Sequence, residues 1–556
     1  MVNRGPSGGC ATCRQRRVKC DEGKPECRTC GRLKLRCGGY RTQSASTNHK
    51  FKFRDQTHKF KRPAGASVQR TVKPKCLPQA SPTLHSLSAP DTAVPFFLLH
   101  YALTGRDMES ARGFYEILVP EYAAQPADSA LCLAVSALAS ETLSLWRRGA
   151  GLRSAEASYT QALACLRRTV SNATERGKTA TLLTALALQM YENVAAIYGL
   201  RSGATRIHHD GAVSLLSFAA PSHTNKISAY VRRYILHSEV SSALRQKRSL
   251  RSNAYSLIAT QDQDLLAAPD NPSSTLDLIG TAVAELQARY DLASQDCTAL
   301  LSQHLREKWH AEANRLDEQL LSWAQSVPSH WQPVRLTGSE IDPSIPTYNL
   351  TCEIYPSCQI ANVWNLWRCQ RLILAKITLT SLTAVFHREP GDQLNLVKSK
   401  QPLQDLVDSL CYSVPFYLGN RMKPSSMRDF TDPSIVFPTS PPSDHAGYPA
   451  IHPDNHKRHL IAQGHWHIMS PLGCLLSLLS EDGQILAGHL REGQADWIRG
   501  QFLRVATLLR LRDEGSGGVE GRRLSNSPLS SSGTPDLKAE SLAKSVRRAA
   551  VFLSGP

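Results

Sequence analysis

Apolar positions along this chain change character near residue 93. From there on they recur at helical spacing in Ala- and Leu-rich stretches over 93–118, 128–147, 152–171 and 178–200, with no Pro inside except near the starts. That recurrence, in residues that favour helix, predicts amphipathic and buried α-helices. Further stretches fall at 204–219, 226–247, 274–324, 357–387, 401–414, 455–480 and 489–512. Leu183–Leu200 (LTALALQMYENVAAIYGL) is apolar nearly all round and reads as a core helix. Strand-like alternation is scarce. The pattern predicts a large all-α helical domain at 93–512, roughly 400 residues and ample to bury a core. Its longest apolar runs, such as AVPFFLLHYAL and LGCLLSLLS, are too short to span a bilayer, so no membrane partner is expected.

The remaining text is punctuation. Residues 77–92 are Pro- and Ser-rich and close a linker that starts at 41; residues 415–450 interrupt the helices as a loop. Residues 513–556 read as a mostly disordered tail, with GSGG and SNSPLSSSGTPD. Ser527-Pro528 and Thr534-Pro535 are candidate phosphorylation sites, against the simpler reading of an unmodified tail.

Charge divides the chain at about the same place. Residues 1–75 hold 20 Lys/Arg and 4 Asp/Glu, a formal +16, whereas the whole chain is +18. Basicity confined to one small segment is the footprint of nucleic-acid binding. A membrane-bound basic tail would need an amphipathic apolar face, and none accompanies it. Lys50–Pro63 (KFKFRDQTHKFKRP) interleaves Phe51, Phe53 and Phe60 with bases. It reads as a nuclear import signal or an arm along DNA phosphates, with a plain solvated linker as the alternative.

Within that basic segment lie six cysteines, Cys10-x2-Cys13-x6-Cys20-x6-Cys27-x2-Cys30-x6-Cys37. Paired thiolates two residues apart converge on one metal ion, and sulfur at this density suits zinc. The cluster is duplicated: CATCRQRRVKC and CRTCGRLKLRC share three Cys, one Thr (Thr12, Thr29) and two basic positions flanking an apolar one (Val18, Leu35). Two similar units about a pseudo-twofold axis follow, with Asp21–Glu26 as the turn. Six thiolates make two four-coordinate sites only if two sulfurs bridge. Two zinc ions and six thiolates sum to −2, which offsets only a few of the nearby positive charges. A disulfide framework is disfavoured, because the opening MVNRGPSGG has no apolar signal region. The run Arg14–Lys19 after Cys13 is expected to form a short helix between metal ligands.

With Pro25 in the loop and the basic run Arg14, Arg16, Arg17, Lys19, this segment resembles the DNA-binding domain of the fungal zinc binuclear cluster transcription factors. The resemblance implies two structural zinc ions bridged by Cys10 and Cys27, with Cys13 and Cys20 completing one site and Cys30 and Cys37 the other. It implies a zinc-cluster DNA-binding domain at 1–40, two short helices around two zinc ions, joined by a disordered linker to the helical domain. The first helix would enter the major groove of double-stranded DNA and read a CGG-like triplet. Arg16, Arg17 and Lys19 would then donate to guanine O6 and N7, and Arg14, Arg32, Lys34 and Arg36 would hold phosphates. Many members dimerise through a coiled coil after the cluster. No Leu or Ile occurs between Leu35 and Leu77, so that device has no place here. Either the chain binds one triplet as a monomer or it forms a homodimer through the helical domain.

Later segments resemble the same family's regulatory region: HHDGAVSLLSF (His208–Phe218), VRRYILHSEVSSALRQKR (Val231–Arg248), WAQSVPSHWQPV (Trp323–Val334), HWHIMSPLGCLLSL and ADWIRGQFLRVATLL. They imply a nuclear transcription regulator whose helical domain answers to effectors and contacts the transcription machinery or co-regulators. A zinc scaffold that recruits proteins, and an enzyme in the helical domain with a zinc address tag, are the competing classes. No Gly-rich phosphate loop, GxSxG elbow or dinucleotide fingerprint favours the enzyme. His445, His452, His456, His459, His465 and His467 crowd one segment. Pro453 breaks the one metal-like spacing, so these histidines read as surface loop or helix-start residues. The nine cysteines after residue 75 are scattered in apolar text and read as core.

Overall fold

The computed structural model describes residues 10–16, 18–23, 25–38, 89–103, 114–147, 152–198, 206–219, 226–251, 254–255, 271–295, 302–383, 390–438, 451–480 and 487–511. They fall into two compact units, Met1–Ser81 and Pro82–Pro556. The tail reading, the linker at 41–88, the Lys50–Pro63 arm, His445 and both Ser/Thr-Pro sites lie outside the described residues; residues 89–92, expected as the end of the linker, are helical.

The first unit carries two short helices, α1 (Ala11–Gln15) and α2 (Arg28–Arg32). α1 begins at the first cysteine pair and ends at Gln15; Arg16 is on a turn, and Val18 to Cys20 run outside the helix. The expected helix over Arg14–Lys19 is therefore displaced toward the N-terminus. The cause is local: Cys10 and Cys27 each precede a helix, and their sulfurs accept from the amides of Cys13 (3.4 Å) and Cys30 (3.3 Å) as caps.

The second unit is helical, as its apolar spacing predicts. Its early helices are α3 (Ala89–Phe97), α4 (Phe114–Ala124), α5 (Ala130–Trp146), α6 (Leu152–Ser171), α7 (Thr179–Ile197), α8 (Ile207–Leu215) and α9 (Lys226–Gln246). Ser129 starts α5 by accepting from the Cys132 amide at 3.2 Å. Most of the α5 and α7 side chains are buried. α7 is long and apolar enough to cross a membrane, with a mean hydropathy of 1.2, but 83% of that stretch is buried inside the unit. Its all-round hydrophobicity is that of a central core helix.

The stretch at 274–324 is two helices, α10 (Pro272–Ser294) and α11 (Gln303–Ser326). The sequence between them includes Asp296 and Thr298, residue types that favour helix ends over helix interiors. A small antiparallel hairpin follows, β1 (Val334–Thr337) and β2 (Thr351–Ile354), pairing Val334 with Ile354 and Thr337 with Thr351. Strands of four residues are too short to show an alternation.

α12 (Cys358–Thr383) and α13 (Pro390–Leu418) complete the centre. α13 starts before the expected 401, in polar text without an apolar stripe, and ends at Gly419 in the left-handed region at φ 55°. A side chain there would also meet the Val436 carbonyl oxygen at 2.1 Å, so glycine closes this helix. Of the loop expected over 415–450, residues 415–418 belong to α13, and residues 419–438 are packed in part, with Arg421 and Phe437 buried. The last helices are α14 (Pro453–His459), a π-helical turn (Leu460–Gly464), α15 (His465–Ser480) and α16 (Gln494–Leu509). His459, His465 and His467 are buried, which corrects their reading as surface histidines. His452 does sit outside the helix, as the N-cap of α14.

Candidate metal centre and nucleic-acid interface

The six sulfurs of the first unit converge. Cys10, Cys13, Cys27 and Cys30 are buried, and Cys20 and Cys37 pack against them. Sulfur separations are 3.6 Å for Cys10–Cys27, 3.7 Å for Cys13–Cys27, 3.8 Å for Cys10–Cys30 and 3.9 Å for Cys13–Cys30. Four sulfurs at about 2.3 Å from a tetrahedral zinc stand about 3.8 Å apart, a spacing that the Cys10–Cys27, Cys13–Cys27 and Cys10–Cys30 separations match. The ligand atoms form two groups of four: Cys10, Cys13, Cys20 and Cys27, and Cys10, Cys27, Cys30 and Cys37. Cys10 and Cys27 are common to both, the arrangement that two zinc ions and six sulfurs require.

Burial pushes the Cys13 thiol up to about 12. A cation between the sulfurs reverses that sense, since a coordinating thiol gives up its proton outright. The donor set, all sulfur and closed, fits a structural zinc and leaves no open position for catalysis.

The duplication seen in the sequence is a duplication of bonds. The Val18 amide donates to the Cys13 carbonyl at 3.1 Å, and the Leu35 amide to the Cys30 carbonyl at 3.0 Å. The shared threonines tie each helix to the residues around the third cysteine of the other half. The Thr12 hydroxyl donates to the Arg36 carbonyl (3.0 Å) and accepts from the Gly38 amide (2.8 Å). Thr29 donates to Asp21 through its amide (3.1 Å) and hydroxyl (3.0 Å), and the Arg28 amide adds a third donor to Asp21 at 3.0 Å. The Thr29 amide foremost, with the other two donors, holds the Asp21 carboxyl down to about 2. Thr12, Thr29 and Asp21 are cross-links that motif spacing does not mark. The recurrence of Thr at one place in both halves was the signal that could have found them.

Around this core the basic side chains point outward. Arg16, Lys19, Arg28, Arg32, Lys34 and Arg36 are exposed, as are Val18 and Leu35 between the basic pairs. Arg14 lies in α1, its side chain outside the described residues, and Arg17 is outside them altogether. In contrast, Arg232 and Arg233 of α9 are buried in the second unit. There Glu239 gathers Arg206, Arg248 (2.7 Å) and His209 (3.5 Å), joining the two segments His208–Phe218 and Val231–Arg248.

This is a binuclear zinc cluster domain: residues 8–47 match the fungal Zn(2)-Cys(6) binuclear cluster domain family. Among curated relatives, the chain is 39% identical over 93 residues to the pestheic acid cluster transcriptional regulator 3 of Pestalotiopsis fici, covering 15% of this chain and 16% of that one. It is 50% identical over 44 residues to the white-opaque regulator 2 of Candida albicans, covering 8% and 10%. It is 66% identical over 29 residues to the sterol uptake control protein 2 of Saccharomyces cerevisiae, covering 5% and 3%. The matches thus span at most 16% of these relatives' lengths. No solved structure matches the chain.

Proposed function

We propose that this protein is a nuclear transcription regulator that binds double-stranded DNA through its zinc cluster. The observation that carries the reading is a rigid six-sulfur core with a coat of exposed basic residues over both halves. Zinc holds the backbone, and the bases face outward where phosphates and base edges are met. Arg16, Arg17 and Lys19 read a CGG-like triplet in the major groove. Arg14, Arg32, Lys34 and Arg36 hold the phosphates that set the register. The cysteines act as ligands to two zinc ions, with Cys10 and Cys27 bridging.

The domain limits follow from the same reading: a DNA-binding domain at 1–40, a linker at 41–92, a regulatory domain at 93–512 and a tail at 513–556. The helical unit, which contains a cavity of about 100 Å³ lined in part by His237, Arg245, Gln287, Cys369, Cys474 and Phe502, is the part assigned the effector-responsive role. Homodimer contacts and contacts with the transcription machinery or co-regulators belong to this unit.

Selection of bound sequences from a random DNA pool by the zinc-loaded chain tests the reading. A CGG-type triplet should be enriched, and log affinity should fall linearly with log salt, with a slope near −0.9 per phosphate neutralised. Arg16→Ala should relax the base preference, whereas Lys34→Ala should weaken all sequences alike and flatten the salt slope. One triplet indicates a monomer, and two at fixed spacing a dimer. A zinc-loaded chain that enriches nothing would move the assignment to a protein-recruiting scaffold.

A further inference from the structure

Far from the zinc cluster in sequence, the helical unit brings together a second set of metal-binding side chains. Cys358 is the first residue of α12, His459 the last of α14, and His467 lies in α15. Their ligand atoms, one sulfur and two ring nitrogens, all lie within 4.8 Å of one another. Cys358 and His459 are 0% exposed and His467 is 2% exposed. Trigonal ligands on bonds of about 2.0–2.3 Å stand about 3.5–4.0 Å apart, so a movement of about 1 Å closes the set on an ion.

Backbone geometry aligns the two histidines. Eight residues along a regular α-helix would turn them about 80° apart. The π-turn Leu460–Gly464 between them takes up one residue, which leaves about 20° and puts both rings on one face. The rings are stacked with centroids 5.9 Å apart and planes at 22°. Gly464 lets α13 pack closely on the turn: a side chain there would meet the Tyr417 carbonyl oxygen at 2.3 Å. The Tyr417 ring packs beside His467 at 6.3 Å.

We propose that Cys358, His459 and His467 form a binding site for monovalent copper, separate from the zinc cluster and independent of the DNA reading. One thiolate and two imidazoles are soft and borderline ligands suited to copper. Charge selects the oxidation state. The thiol loses its proton to solvent as the sulfur–copper bond forms, and thiolate with Cu(I) is then neutral. Zn2+ on the same ligands leaves a net +1 in a buried site, a costly burial. The Arg421 guanidinium already lies close, donating to the Ile461 carbonyl at 3.3 Å. Three ligands from three elements would pin the start of α12 to the α14–α15 junction.

The test adds one equivalent of Cu(I), as its bathocuproine disulfonate complex, to the reduced, zinc-loaded full chain without oxygen. Metal content is measured after gel filtration, and the copper environment is read by X-ray absorption. The expected result is two zinc ions retained, one copper gained, and a shell of one sulfur and two nitrogens. Cys358→Ser should lose the copper and keep both zinc ions. Copper that enters only as zinc leaves, with an all-sulfur shell, overturns the proposal. So does a chain that takes up no copper, or a Cys358→Ser chain that binds it in the same shell. If Cys358→Ser does not fold, the wild-type shell and zinc count decide alone.

Discussion

Arg368→Met would remove a guanidinium that is 1% exposed and sits at the junction of the hairpin with α12 and α13. Arg368 donates to the Glu353 carboxylate at 2.7 Å, the Tyr355 hydroxyl at 2.9 Å, the Asn365 side-chain oxygen at 2.7 Å and the Ser409 hydroxyl at 3.1 Å. Its partner Glu353 is equally buried, so the substitution removes the buried one of that carboxylate's two cationic partners. Breaking one side of such a pair costs about 3–5 kcal/mol. Here the cost falls near the lower end, about 3 kcal/mol, because Glu353 keeps donors from Ser409 (2.8 Å), Tyr355 (2.8 Å) and Arg335 (3.1 Å). Against a folding stability of about 5–15 kcal/mol that is a large share.

The assay is urea denaturation of the zinc-loaded chain followed by tryptophan fluorescence. All eight tryptophans, Trp146 to Trp497, lie in the helical unit, so the signal reports that unit. Glu353→Leu alone should also destabilise, by leaving Arg368 unpaired. The double variant Arg368→Met with Glu353→Leu should cost less than the sum of the singles, with a coupling of about 2 kcal/mol. A loss below about 1 kcal/mol for Arg368→Met, or strict additivity in the cycle, would refute the network as the reason these residues are buried together.

Cys13→Ala leaves the group Cys10, Cys27, Cys30 and Cys37 complete and should retain one zinc ion per chain, whereas Cys10→Ala breaks both groups and should retain neither. Zinc content after dialysis against a weak chelator checks this, and equal retention in the two variants would contradict the bridging role. His456, packed against Phe416 with ring centroids 5.1 Å apart, is held by burial down to about 4, so the folded unit resists protonating it. Its contribution to stability is therefore complete above the ordinary histidine value of about 6.5 and is lost as pH falls from there toward 4. Melting temperature should fall over that window, and His456→Phe should flatten the fall; an unchanged pH profile in the variant would remove His456 as its cause.

Cysteine spacing alone determined the zinc cluster. Metal coordination needs few atoms at short range, so the spacing of Cys10 to Cys37 points to zinc and to two similar halves without tertiary context; which cysteines share an ion was implied by the family resemblance, and the folded structure brings the sulfurs into those two groups. The helical character of the second unit was also legible, because apolar residues at helical spacing over long windows have one common solution. Tertiary structure decided what depends on distant pairings. The β1–β2 hairpin is too short to show a period, and Glu353 within it is tolerable only because Arg368 of α12 and Ser409 of α13 reach it in the fold. The histidines near the C-terminus look polar in sequence, yet His459, His465 and His467 are core. A helical phase counted at 3.6 residues cannot foresee the π-turn that sets His459 and His467 on one face, nor the approach of Cys358 from about 100 residues away. Burial of polar groups is a property of the assembled fold, since a buried polar group is stable only beside its partner.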